Sequence, residues 1–192
     1  MREFGTIHKE EWFFMIILVG ASASGKTEIA RRLIHTYGFH KFVTHTTRPP
    51  RVNERNHIDY HFVSLEEFNR LEASSNFIET TNYNGYKYGT SSDEIGEQKV
   101  LIVDPSGANA FVDKVPDKIV VFLIETPKEI RKERMLRRKD HPVDIEKRLE
   151  HDDLIFDRTE LNHIDYIIVN NKVHLSKLTK EIYDLYKESM SK

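Results

Sequence analysis

The most constraining feature of the sequence is an apolar run, Trp12 to Val19 (WFFMIILV), that ends directly in Gly20-Ala21-Ser22-Ala23-Ser24-Gly25-Lys26-Thr27. The loop has the spacing G-x-x-x-x-G-K-[ST], and Ile29, Ala30, Leu33 and Ile34 follow on one face of a helical pattern. Glycines and small residues let backbone N–H groups curl around a phosphate, which β-carbons would obstruct. A helix starting near Lys26 aims its positive end at the same anion. Lys26 then reaches β/γ phosphates as a point charge, and the Thr27 hydroxyl is a ligand for Mg²⁺. The alternative is a small-residue turn that ends in Lys-Thr by coincidence, and the order strand, loop, helix argues against it. The loop alone leaves the reaction open.

Four β-branched or apolar runs read as buried strands: Met15–Val19, Val100–Val103, Ile119–Ile124 and Tyr166–Val169. Each is followed by a helical pattern, so the expected fold class is α/β, a P-loop three-layer fold with a central, mostly parallel sheet. Thr126-Pro127-Lys128-Glu129 has the form of a capping box, as do Ser64 with Glu67, flanked by Val63 and Phe68 as a staple, and Ser91 with Glu94. The segment 44–90 is aromatic-rich, with Asn84-Gly85 as a hairpin signal, and reads as a small mixed or antiparallel acceptor-binding subdomain. The core then comprises 15–43, 91–125 and 160–192, with a helical lid at about 126–159. Residues 1–14 read as an extension without assigned chemistry.

With 29 basic and 31 acidic residues the formal charge is −2, which argues against a general polyanion binder; no nucleic-acid partner is expected. The absence of cysteine excludes disulfides, Cys-ligated zinc and thiol catalysis. The longest apolar run is far short of the roughly 20 residues that span a bilayer, and it runs into the phosphate loop instead of a cleavage site. A cytoplasmic protein with no membrane partner is the expectation.

Thr44-His45-Thr46-Thr47-Arg48-Pro49-Pro50-Arg51 places two arginines three apart on a proline-stiffened segment, a clamp for a second phosphate or simply a solvated basic loop. Downstream come DYHFVSLEEF (Asp59 to Phe68), Phe77-Ile78-Glu79 and Tyr88-Gly89-Thr90. Together, T-T-R-x-P-R, D-Y-x-F-V-S-x-x-E-F, F-I-E and Y-G-T resemble the guanylate kinase family, from Met15 to the end of the chain. The resemblance implies transfer of the ATP γ-phosphoryl to GMP, and to dGMP, with Mg²⁺. It implies that Arg48 and Arg51 hold the GMP phosphate with the hydroxyls of Tyr60 and Tyr88. It also implies that Glu79 reads guanine, with Thr44, Thr90 and Asp104 alongside. The chemistry is coherent, since guanine N1–H and its 2-amino group are adjacent donors to one carboxylate, whereas adenine would leave that carboxylate unpaired.

Arg131 to Lys139 holds six basic residues in nine. By resemblance, Arg134, Arg138 and Arg148 are lid arginines over the phosphates, with Arg131 a weaker match; a solvated basic helix face is the alternative. Asn170-Asn171 falls where the family contacts adenine, or forms a turn. His57 and His61 are not expected to align their ring nitrogens as a helix would, and no histidine-bound metal is expected. Asp152, Asp153 and Asp157 read as a solvated helix face.

The chain departs from the family text at Asn53 and His57, where glycines are usual, and at Ile102, where an aspartate is usual; Pro105 also alters the strand exit. Two further readings stay open: a P-loop kinase acting on another monophosphate or a phosphorylated sugar, and a non-catalytic guanylate-kinase-like binding module.

Overall fold

The protein is described by a computed structural model covering residues 14–50, 54–83 and 85–191. From its start the chain runs through β1 (Met15–Val19), α1 (Lys26–Tyr37), β2 (His40–Lys41), β3 (His45–Thr46) and β4 (His61–Phe62). It continues through α2 (Leu65–Ala73), β5 (Phe77–Tyr83), β6 (Tyr86–Ser91), β7 (Lys99–Ile102) and α3 (Pro105–Lys114). The remainder is β8 (Ile119–Glu125), α4 (Lys128–Arg137), α5 (Pro142–Ile155), β9 (Tyr166–Val169) and α6 (Leu175–Ser189).

All five side chains of β1 are fully buried. Strand alternation sends Ile16 and Leu18 against Ile29 and Leu33 of α1 and Ile182 and Tyr186 of α6. Met15, Ile17 and Val19 face the other way, onto Phe42, Phe111 and Leu161. A strand covered on both faces has no place for polar alternation, so its sequence is continuously apolar. The main sheet has the order β2-β7-β1-β8-β9 and every pairing in it is parallel, in agreement with the expected α/β class. The strand order reverses at β1, so the loop after β1 opens at a topological switch point, where such sheets bind ligands.

The strand read as Val100–Val103 is Lys99–Ile102, and β2 carried no signal, being two exposed polar residues. The second sheet has the order β4-β3-β6-β5, with β3–β4 parallel and the other pairs antiparallel. Gly85, at φ 79°, turns the β5–β6 hairpin; Asn84 lies outside the described residues. Ser64 caps α2 by accepting from the Glu67 amide at 3.0 Å, and the staple residue Phe68 is fully buried. Ser91 accepts from the Asp93 amide at 3.3 Å, heading a short 3-10 helix.

The capping box at Thr126 does not form. Pro127 stands at the N-cap of α4, and the Thr126 hydroxyl instead donates to the Ser24 carbonyl at 3.0 Å. A buried carbonyl of the phosphate loop has a stronger claim on the hydroxyl than a helix amide that water can reach. α4 and α5 join through Met135, Ile145 and Leu149, a cluster that also takes in Ala23 of the phosphate loop. Among the described residues no helix is long and apolar enough to cross a membrane.

Candidate active site

The phosphate loop is held from behind. Thr126 Oγ1 (3.0 Å), Asn170 Nδ2 (2.8 Å) and Arg134 Nη1 (3.1 Å) all donate to the Ser24 carbonyl, and Arg134 Nη1 also donates to the Ala23 carbonyl at 3.0 Å. The peptide is planar and trans, so fixing the Ser24 carbonyl rearward turns the Gly25 N–H the opposite way. Gly25 sits at φ 108° as the α1 N-cap, with no side chain capping the helix, so the first-turn amides remain for an anion. A β-carbon at Gly25 would meet Asn170 Nδ2 at 2.7 Å, which explains glycine at that position. Asn170 is buried and also accepts from Arg134 Nη2 at 3.1 Å; it anchors the loop.

Lys26 folds over the loop, donating to the Gly20 carbonyl, to the Ala21 carbonyl at 2.9 Å and to Ser24 Oγ at 3.4 Å. Desolvation pulls its ammonium down to about 8; Asp152 opposes that shift and Arg131 adds to it. Burial therefore holds this charge at a cost, which an anion beside it would offset.

Asp152 is not on a solvated face. It is 5% exposed and accepts from the Ser22 amide at 2.7 Å, while Arg131, also 5% exposed, approaches it at 3.5 Å and holds Asp153 at 2.6 Å. Ile145, Leu149, Asp152 and Phe156 form one helical stripe, and the stripe rather than the charge decides which side is buried. Asp157 is exposed and heads a 3-10 turn. The histidine expectation also changes. His57, at φ 64°, brings its Nδ1 within 2.8 Å of His61 Nδ1, and His61 stacks on His45 and meets Glu94 at 3.1 Å. Even so, no group of three His, Asp or Glu able to hold a metal occurs among the described residues.

On the acceptor side a cavity of about 340 Å³ is lined by Thr44, Tyr60, Glu79, Tyr88, Thr90 and Asp104, together with Thr81 and Ile102, which sequence reasoning had not placed as ligands. Burial raises the Glu79 carboxyl above the usual range; the Thr90 hydroxyl, which donates to it, opposes this and the charge of Asp104 adds to it. Asp104 accepts from the Gly107 amide at 2.8 Å and so caps α3 as well as facing the cavity. Arg48 makes a two-oxygen pair with Glu54, both at 2.9 Å, and lies over the Tyr60 ring at 5.5 Å. Arg51 lies outside the described residues.

A donor-side cavity of about 380 Å³ is lined by Ala23, Gly25, Lys26, Thr27, Arg134, Arg137 and Arg138. Thr27 also lines a larger space of about 530 Å³ that includes Thr44, Tyr60 and Ile102 from the acceptor cavity. Thr27 thus stands between the phosphate-loop cavity and a space bordered by the acceptor-side residues. Arg138 pairs with Asp140 at 3.1 Å at the rim, and Arg148, 3.4 Å from the same carboxylate, lines neither the donor nor the acceptor cavity.

A family model described as guanylate kinase matches residues 14–187. A guanylate kinase of Campylobacter jejuni is 31% identical over 173 residues, covering 85% of this chain and 83% of that protein. One from Neisseria meningitidis is 38% identical over 117 residues, spanning 57% of each chain. The crystal structure of a guanylate kinase from Anaplasma phagocytophilum, at 24% identity, superposes with a TM-score of 0.71 over 95% of this chain and 89% of that one, which shows a shared fold. With the phosphate loop at the switch point of a parallel sheet and the family model matched from residue 14 to 187, the chain belongs to the guanylate kinase family.

Proposed function

We propose that the chain transfers the γ-phosphoryl group of ATP to GMP, and to dGMP, yielding ADP and the nucleoside diphosphate. The observation that carries this reading is the placement of Thr27, which borders both the donor cavity and the space reaching Thr44 and Tyr60. Phosphoryl transfer asks for positioning and charge neutralisation and needs no covalent intermediate on the protein.

In this reading a phosphate oxygen of GMP attacks the γ-phosphorus in line and ADP leaves. Lys26 and the amides of Gly20 to Thr27 carry the donor phosphates. Arg134 and Arg138 border them, and Arg148 joins when α4 and α5 move as a lid. Arg48 and Arg51, with the Tyr60 and Tyr88 hydroxyls, align the acceptor phosphate. The Glu79 carboxylate accepts from guanine N1–H and the 2-amino group, with Thr44, Thr90 and Asp104 beside it. Asn170, at the rear of the loop, borders the donor base through its main chain. Mg²⁺ bound with ATP would supply charge neutralisation on the transferring phosphates. The Thr27 hydroxyl fits it as a ligand, since it is exposed at the start of α1 where the two cavities meet.

A coupled ADP-release assay across GMP, dGMP, AMP, CMP and UMP tests the proposal. Turnover at least tenfold better with guanine nucleotides is the expected result. A preference for another acceptor would reassign the cavity around Ile102 and Glu79. No turnover with any acceptor, despite ATP binding, would make the chain a binding module.

A further inference from the structure

Two residues four apart at the end of α5 both engage the phosphate loop. Asp152 takes the Ser22 amide hydrogen at 2.7 Å, and the Phe156 ring lies over Lys26, with 5.8 Å from Nζ to the ring centre. The Ser22 amide lies within the loop of G-x-x-x-x-G-K-[ST] spacing, whose N–H groups cradle phosphates. A carboxylate and a phosphate cannot both take one N–H, and their like charges repel at this range. A donor phosphate drawn to this amide would therefore meet Asp152 as a rival.

Arg131 stands behind Asp152. Its Nη2 is spent on Asp153, its Nη1 reaches Asp152 at a long 3.5 Å, and its Nε–H is buried with no hydrogen-bond partner among the described residues. A guanidinium that is 5% exposed with an unspent donor is costly unless another acceptor is available to it. A cavity of about 460 Å³ lined by Gly20, Ala21, Arg131, Asp152 and Phe156 brings that guanidinium to the start of the loop. A salt bridge serving only to hold α4 against α5 would need neither the loop amide nor an idle Nε.

We propose that Arg131 and Asp152 form an exchange pair at the donor site. Asp152 competes with a nucleotide phosphate for the Ser22 amide, and Arg131 passes from the carboxylate to the phosphate when Asp152 withdraws. Phe156 leaves Lys26 in the same movement, because it rides on the same helix end. The inference rests on the donor-site reading above.

The two residues should have effects of opposite sign, which a structural salt bridge would not. Calorimetric titration with ATP, with inorganic tripolyphosphate and with GMP makes the comparison. Asp152→Asn should bind ATP and tripolyphosphate about tenfold tighter or more, and Arg131→Met should bind both about tenfold more weakly or worse. Neither should change GMP affinity. In the unaltered protein, the Ser22 amide proton and the Asp152 carboxyl carbon should shift together as tripolyphosphate is added, a measurement that needs no variant to fold. Asp152→Asn binding no tighter than the parent overturns the exchange, as does weakening by both variants or an Asp152 carboxyl carbon that stays put. Failure of the parent and the variants alike to bind ATP or tripolyphosphate would instead remove the donor-site reading, and the exchange with it.

Discussion

The donor and acceptor ends of the site are made of different material. In the proposed reading the working groups at the donor end are main-chain amides between Gly20 and Thr27, and side chains from far away (Thr126, Arg134, Asn170) hold the Ser24 carbonyl behind them. At the acceptor end the working groups are side chains themselves, drawn from the approaches to β3, β4 and α3 and from β5 and β6. The contrast teaches where each half is vulnerable. A main-chain cradle tolerates changes in side chain as long as its aim is kept, whereas a cavity of side chains loses one specific contact with each substitution.

The largest effect should come from Lys26, the loop's own cation at the donor end. Lys26→Ala should lower kcat by about a thousandfold or more, while thermal stability at pH 7 holds or rises. The sign follows from the shift. The ammonium titrates near 10.5 unfolded and near 8 folded, so the folded state carries the full desolvation penalty below about pH 8 and none above about 10.5. Thermal denaturation at pH 7 and pH 10 checks this; a variant within tenfold of the parent in kcat would mean the loop does no phosphate chemistry.

At the other end, Glu79→Gln should cut kcat/KM for GMP by about a hundredfold and erase its preference over AMP, with KM for ATP unchanged. Because burial raises the Glu79 carboxyl, the ionised form needed to read guanine is lost at a higher pH than for an ordinary glutamate. KM for GMP should thus climb as the medium is acidified, and Glu79→Gln should flatten that climb. For stability the sign is opposite: the folded protein takes up the proton more readily than the unfolded chain, so this group favours folding as pH falls through its raised pKa, and Gln at 79 should not destabilise the fold at neutral pH.

Asn170→Ala tests aim rather than contact. Losing the 2.8 Å bond to the Ser24 carbonyl and the 3.1 Å bond from Arg134 should weaken ATP about tenfold and cost about 1–3 kcal/mol in stability, with GMP affinity intact. If GMP weakened equally, the two ends would not be separable. The smallest effect is at Ser64→Ala, where loss of the α2 cap should cost about 1 kcal/mol in denaturant titration and leave both substrates' kinetics unchanged.

The phosphate loop and the buried parallel strands were legible because their signals are local, glycine spacing and continuous apolar runs; short strings such as Phe77-Ile78-Glu79 named residues that line one cavity. β2 was not, since two polar residues have no periodicity. Thr126 misled because its string fits a cap, while a buried carbonyl of the phosphate loop took the hydroxyl. Asp152 was readable in hindsight. It falls at the apolar spacing set by Ile145, Leu149 and Phe156, and a carboxylate interrupting such a stripe marks a charge with a buried partner. Composition pointed the other way, because three aspartates within six residues look like a wet surface.

Short-range stereochemistry therefore settled what the chain can present: a loop of amides ahead of a helix and strands with no polar side. Those properties depend on bond rotations and neighbours a few residues away, which a string of letters contains. Folding in three dimensions decided which groups meet. The Ser22 amide and the Asp152 carboxylate are 130 positions apart, and only the packing of α5 on the phosphate loop, through Leu149, Met135 and Ala23, brings them within 2.7 Å. Contacts of that kind arise from burying surface across the whole molecule, and no local pattern carries them.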